Sequence, residues 1–278
     1  MQLRVVTDQP WDVRADVLAI PVVGDPTFSG PMDELDRRTG GELRALAAFG
    51  ELTGKRYSTA VAASGELPAG RVLTVAAGDG AKMDREVVVR VGATAERRLG
   101  GRNARSLAIW LTPLADVLEG GVSAVAELVA RGVVEGGFDP KTLYRDDAEG
   151  RPPALDELIL VVPGGDAAAA TKAAERGIII GEGANHAKSL SNRSANDISP
   201  AVLADEARAV AERHGLWIDV IEPDRAREIG MGMFLAVGQG SDNPPQMIVI
   251  RSGGEGERDA LDRHLAIIGK GVCFDSGG

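Results

Sequence analysis

Lys270 and Asp275 stand five positions apart in the closing run Gly269-Lys270-Gly271-Val272-Cys273-Phe274-Asp275-Ser276-Gly277-Gly278. A lone amine and carboxylate at that spacing make an ordinary ion pair, worth little at a surface. Their surroundings point to a site. Both follow the apolar run 265–268, which reads as a strand, and α/β proteins keep their chemistry at strand carboxyl ends. Gly271 on one side and Ser276-Gly277-Gly278 on the other free the backbone for an unusual path and a close ligand approach. Odd spacing would place the two side chains on opposite faces of a regular strand. If they converge on one point, the chain must bend near Gly271.

Other candidates fall to simpler readings. A phosphate loop needs Gly five positions before Gly269 and Ser or Thr after the lysine, where this sequence has His264 and Gly271. Gly181/Gly183 and Gly238/Gly240 do not extend into Gly-x-Gly-x-x-Gly. His186, His214 and His264 lie far apart and share no ligand spacing. All three read as structural, His214 as a cation at a helix end. Cys273, with no histidine close in sequence, reads as a buried thiol rather than a nucleophile.

The elements that must position Lys270 and Asp275 alternate along the chain, which predicts an α/β fold. Runs rich in Val, Ile and Leu predict strands at 3–6, 17–22, 57–62, 72–76, 106–111 and 158–162, buried on both faces. Helical patterns fall at 33–49, 83–99 and 115–131, and 136–153 reads as a long surface excursion. This first block, 1–165, is expected to be one domain. An Ala-rich linker helix with Asp166 as its N-cap is predicted over 166–190. A second domain restarts the alternation over 191–278. Ser199-Pro200 opens a helix that Gly215 closes, and strands are predicted at 217–221, 234–237, 247–251 and 265–268.

Bulk properties exclude several classes. A net charge of -10 and 4% aromatic residues disfavour nucleic acid, which needs cations for phosphates and rings for bases. No run approaches the roughly 18 apolar residues of a membrane span. The start, Met1-Gln2-Leu3-Arg4, lacks a signal-peptide pattern, and one cysteine cannot make an internal disulfide. A cytoplasmic location is expected.

The closing decapeptide resembles the signature of the leucyl aminopeptidase (cytosol aminopeptidase) family, peptidase family M17. The resemblance extends upstream through 230–241, Pro244-Pro245 and 247–251. It also covers Leu190-Ser191-Asn192-Arg193-Ser194-Ala195-Asn196, where Ser194 replaces the family's proline. Cys273 replaces the signature's usual threonine. The resemblance implies an N-terminal macro-like α/β domain, then the first part of a catalytic domain built on a central mixed sheet. It implies an aminopeptidase that releases N-terminal residues, leucine preferred, with water activated between two divalent ions, manganese or zinc. Lys270 and Asp275 match metal ligands that also face the substrate. Lys270 could serve only as a neutral amine, because coordination needs its lone pair.

The family's remaining metal ligands, its catalytic lysine and its bicarbonate-holding arginine match nothing in these residues. The expectation is therefore an incomplete piece of a longer enzyme, inactive alone, whose full-length form assembles as a homo-hexamer and acts on peptides. An alternative is a binding module for a nucleotide or ADP-ribose in 1–165, with Gly78-Asp79-Gly80 and Gly100-Gly101 as weak phosphate-cradle candidates.

Overall fold

The computed structural model describes residues 1–144, 154–252 and 265–273. They form two compact units, Met1–Ser189 and Leu190–Gly278.

Six strands build the sheet of the first unit: β1 (Gln2–Val6), β2 (Val17–Val23), β3 (Thr59–Ala63), β4 (Arg71–Gly78), β5 (Ser106–Trp110) and β6 (Glu157–Val161). Their order is β1-β6-β5-β2-β4-β3, parallel throughout except for β3, which pairs antiparallel with β4 at one edge. Each lies on a predicted apolar run. Side chains alternate between two cores: Val17 and Ala19 enter one, Leu18 and Ile20 the other. Leu158, Ile159 and Leu160 are fully enclosed, each contributing about 2 kcal/mol of hydrophobic stabilisation. Asp16, just before β2, accepts from the Arg105 and Ser106 amides at 2.7 and 2.9 Å, fixing the start of β5 beside β2. Those amide bonds, Arg105 first, hold its carboxyl below the usual range.

Helices α1 (Pro31–Arg38) and α2 (Glu42–Phe49) cover one face of the sheet through Leu35 and Leu43. The single helix expected over 33–49 is therefore two, divided where Gly41 takes φ 86°. Asp36, buried between them, accepts from the Arg44 amide and its Nε at 2.9 and 2.8 Å.

The other face carries α3 (Arg85–Leu99), a short α4 (Thr112–Ala115), α5 (Gly121–Gly136) and α6 (Ala167–Ser191). The helix expected from 115 starts later, because Gly120 (φ 95°) ends one turn before α5 begins. Backbones approach closely here. A Cβ on Gly132 of α5 would lie 2.0 Å from the Val89 carbonyl oxygen of α3. One on Gly177 of α6 would lie 2.0 Å from the Glu127 oxygen of α5. Glycine is what lets these three helices touch. Asp166 caps α6, accepting from the amides of Ala168 and Ala169 at 3.0 Å each. Asn185 Nδ2 also donates to the Val134 oxygen at 2.7 Å, so α6 packs with the first unit as far as Ser189. Of the expected excursion, Pro140–Tyr144 forms a 3₁₀ turn and 145–153 lie outside the described residues.

The second unit contains α7 (Pro200–His214), β7 (Trp217–Ile221), α8 (Pro223–Glu228), α9 (Gly232–Gly238) and β8 (Met247–Arg251). Ser199 caps α7 by accepting from the Val202 amide, and Gly215 closes it at φ 63°. β7 and β8 pair antiparallel, with the Arg251 guanidinium 4.4 Å from the Trp217 ring centre.

Two expected strands are corrected here. Residues 234–237 lie in helix α9: a short apolar run has no decisive period, and Leu and Ala favour helix when no sheet claims them. Residues 265–268 are not a strand. Leu265, Ile267 and Ile268 are 90–92% exposed, and among the described residues no neighbouring strand pairs with them. A strand exists only through its partners. No helix among the described residues is long and apolar enough to cross a membrane.

Candidate functional site

Residues 265–272 run irregularly through solvent, and Lys270 is exposed among them. The segment comes near α7 at Gly271, where a Cβ would sit 3.4 Å from Leu203 Cδ2. Cys273 is half-buried, and burial pushes its thiol pKa up, as suits a structural rather than a nucleophilic thiol. Asp275 and Ser276-Gly277-Gly278 lie outside the described residues, so the expected convergence of Lys270 and Asp275 falls there too.

The segments that accompany the motif are well tied within the second unit. Arg193 grips Asp197 with two parallel bonds of 2.7 and 2.8 Å and reaches Glu206 of α7 at 2.9 Å. Such forked pairs fix geometry as well as charge. The bonds to Asp197 come first among the causes that raise the Arg193 pKa.

A donor test bears on the metals. Among the described residues, no three His, Cys, Asp or Glu side chains gather where an ion could sit. Lys270 and Asp275 supply two donors, whereas a structural zinc alone takes about four and a catalytic zinc about three from protein. These residues do not by themselves fit a two-metal centre. Neither do the histidines: His186 lies exposed on α6, His214 ends α7, and His264 lies outside the described residues.

In the first unit, a shallow cavity of about 380 Å³ opens beyond the carboxyl ends of β2 and β4, lined by Gly24, Asp25, Gly54, Lys55 and Asp79. Asp79 accepts from the Ala81 amide at 3.0 Å and opens a short 3₁₀ turn. Two carboxylates against one lysine do not suit a polyphosphate, and Gly100-Gly101 terminates α3. A second cavity, of about 220 Å³, lies beside the ends of α3 and α5 and contains Glu96. Sequence reasoning missed Glu96, because a carboxylate within an amphipathic helix reads as a solvated face.

Comparison with known proteins identifies the company the chain keeps. The model of the cytosol aminopeptidase family's N-terminal domain matches residues 19–143, and that of its catalytic domain matches 185–278. A probable cytosol aminopeptidase of Solibacter usitatus is 33% identical over 279 residues, covering 100% of this chain and 53% of the relative. Another, from Cupriavidus metallidurans, is 32% identical over 273 residues, 95% of this chain and 53% of the relative. The chain thus spans about half the length of these relatives. Among solved structures, a tomato leucine aminopeptidase variant superposes with TM-score 0.78 at 24% identity, over 100% of this chain and 55% of its own. The bottromycin maturation enzyme BotP in complex with Mn superposes at 0.64 and 24% identity, over 85% of this chain and 45% of its own. These two likenesses concern the fold.

Proposed function

Because the chain belongs to the cytosol aminopeptidase family, we propose that the protein it represents releases N-terminal residues from peptides, leucine among them, by metal-assisted hydrolysis. The observation that carries this reading is the catalytic-domain match over 185–278, which ends on the Lys270–Asp275 motif. In that reading Lys270, as a neutral amine, and Asp275 hold part of a pair of divalent ions, manganese or zinc. Bound there, such ions polarise the scissile carbonyl and lower the pKa of an attacking water. In this reading the chain's own residues contribute two of the donors. The Arg193 clamp ties Asp197 to helix α7, and the motif segment comes near that helix at Leu203. Full-length assembly as a homo-hexamer and work in the cytoplasm belong to the same proposal.

The donor shortage gives a second part. Among the described residues no cluster of ligands gathers that could hold both ions, and this chain by itself is expected to be inactive. Leucine p-nitroanilide hydrolysis with added manganese tests it: no turnover above buffer is expected from the 278-residue chain, and turnover abolished by chelator would overturn it. In a full-length protein carrying these residues, Lys270→Ala and Asp275→Ala should each lower kcat/KM at least about a hundredfold, since each removes a direct ligand. Undiminished hydrolysis in either variant would remove that residue from the site.

A further inference from the structure

The cavity beside α3 and α5 combines three features that point to a ligand. Glu96 stands in the last turn of α3, and its Oε2 is enclosed with no hydrogen-bond partner among the described residues. Buried polar atoms are almost always paired, so an orphan oxygen on a side chain that itself lines a cavity calls for an explanation.

The second feature is electrostatic. Helices α3 and α5 run side by side in the same direction: Gly92 meets Val129, and further along Gly136 meets Ala93. Both C-terminal ends therefore arrive together. At the cap of α5, a Cβ on Gly137 would lie 3.6 Å from Glu96 Oε1. Helix C-termini carry partial negative charge, so the carboxylate sits where a cation, not an anion, is favoured. Burial has already pushed the Glu96 pKa up to about 7.

Shape is the third. The cavity of about 220 Å³ has aliphatic walls from Val133, Val134, Leu155 and Ile178. That space equals about seven waters of liquid, enough for a short alkyl chain. Glu182 and Met1 also line it, and both are exposed. Asn185 is committed elsewhere, its Nδ2 to the Val134 oxygen and its Oδ1 accepting from Lys188. Glu96 is left as the group a ligand would meet.

We propose that this pocket is a binding site for a small primary alkylammonium, its charged head on Glu96 and its hydrocarbon against Val133, Val134, Leu155 and Ile178. The ammonium brings three donors, enough for Glu96 Oε1, beside the cap of α5, and for carbonyls at that helix end. A metal ion is disfavoured, because one carboxylate among aliphatic walls is a poor ligand set. The site lies in the first unit and does not depend on peptidase activity.

The test is a calorimetric titration of the 278-residue chain, in mildly alkaline buffer, with n-butylammonium chloride. Saturable binding is expected, with n-butanol and butyrate at least about tenfold weaker. Lengthening the amine from ethyl to butyl should tighten binding about fourfold per methylene. Glu96→Gln, which keeps the volume and removes the charge, should weaken binding at least about tenfold, while Glu182→Gln changes it less than about threefold. If the variant fails to fold, the carboxyl ¹³C resonance of Glu96 in the unaltered protein should move on adding the amine. No saturable binding, butanol binding as tightly, or an unmoved Glu96 resonance would overturn the proposal.

Discussion

Glu96 and Lys270 are opposite cases of a charged side chain meeting its surroundings. Lys270 is in water. Glu96 is partly buried, with Oε2 enclosed, and desolvation alone raises its pKa from 4.5 to about 7. The consequence for stability has a definite sign. Between those two values the folded protein keeps a proton that the unfolded chain has released, so stability falls as pH rises through that window. The loss approaches about 3 kcal/mol by neutral pH. Chemical denaturation at a series of pH values should show this slope in the unaltered chain. In Glu96→Gln the slope from this group should vanish; a slope equal in both proteins would assign it to other carboxyls.

At the scale of elements, two kinds of contact carry the architecture. The first is glycine-mediated approach among α3, α5 and α6. Gly132→Ala or Gly177→Ala would drive a methyl against a backbone oxygen now 2.0 Å from the position of its Cβ. Each should cost about 2–3 kcal/mol, because helices rather than flexible side chains must move. Thermal melts should resolve both; a change below measurement error would show that the helices slide apart freely. The second contact is capping. Ser199 opens α7 with its side-chain oxygen on the Val202 amide, and Ser199→Ala should cost about 1 kcal/mol. That loss belongs to the second unit alone.

The molecule as a whole is unequal in its two units. Both extended cores belong to Met1–Ser189, where the central strands are closed on both faces. In the second unit the buried hydrophobic residues, among those described, are Ile198, Ala204, Ala211, Ile221 and Ala226. Met233, Val237 and residues 265, 267 and 268 face water. Denaturant unfolding should therefore proceed in two steps, β7 and β8 losing amide protection before β2, β4, β5 and β6. A single transition with uniform exchange would show that the units unfold together. The chain spans about half the length of the relatives it matches, and its core is sparse among the described residues of 190–278.

The order of strands and helices in the first unit could be read from the sequence, because a strand buried on both faces must be continuously apolar and six such runs stand out. Caps were equally plain: Asp166, Ser199 and Gly215 each do locally what their chemistry favours. The family resemblance was readable too, from the closing motif and the segments before it. Tertiary structure alone decided the rest. Whether 234–237 and 265–268 form strands depends on neighbours that no local pattern encodes, and one became a helix while the other found no partner among the described residues. Glycines that look like flexibility in the sequence proved to be contact points between helices. The partial burial of Glu96 arises beside helices brought together across long stretches of chain, so no window of sequence contains it. Lys270 and Asp275 show the same division: their residue types and spacing carry the proposal of a metal site. A complete ligand set is a matter of what the fold gathers around them.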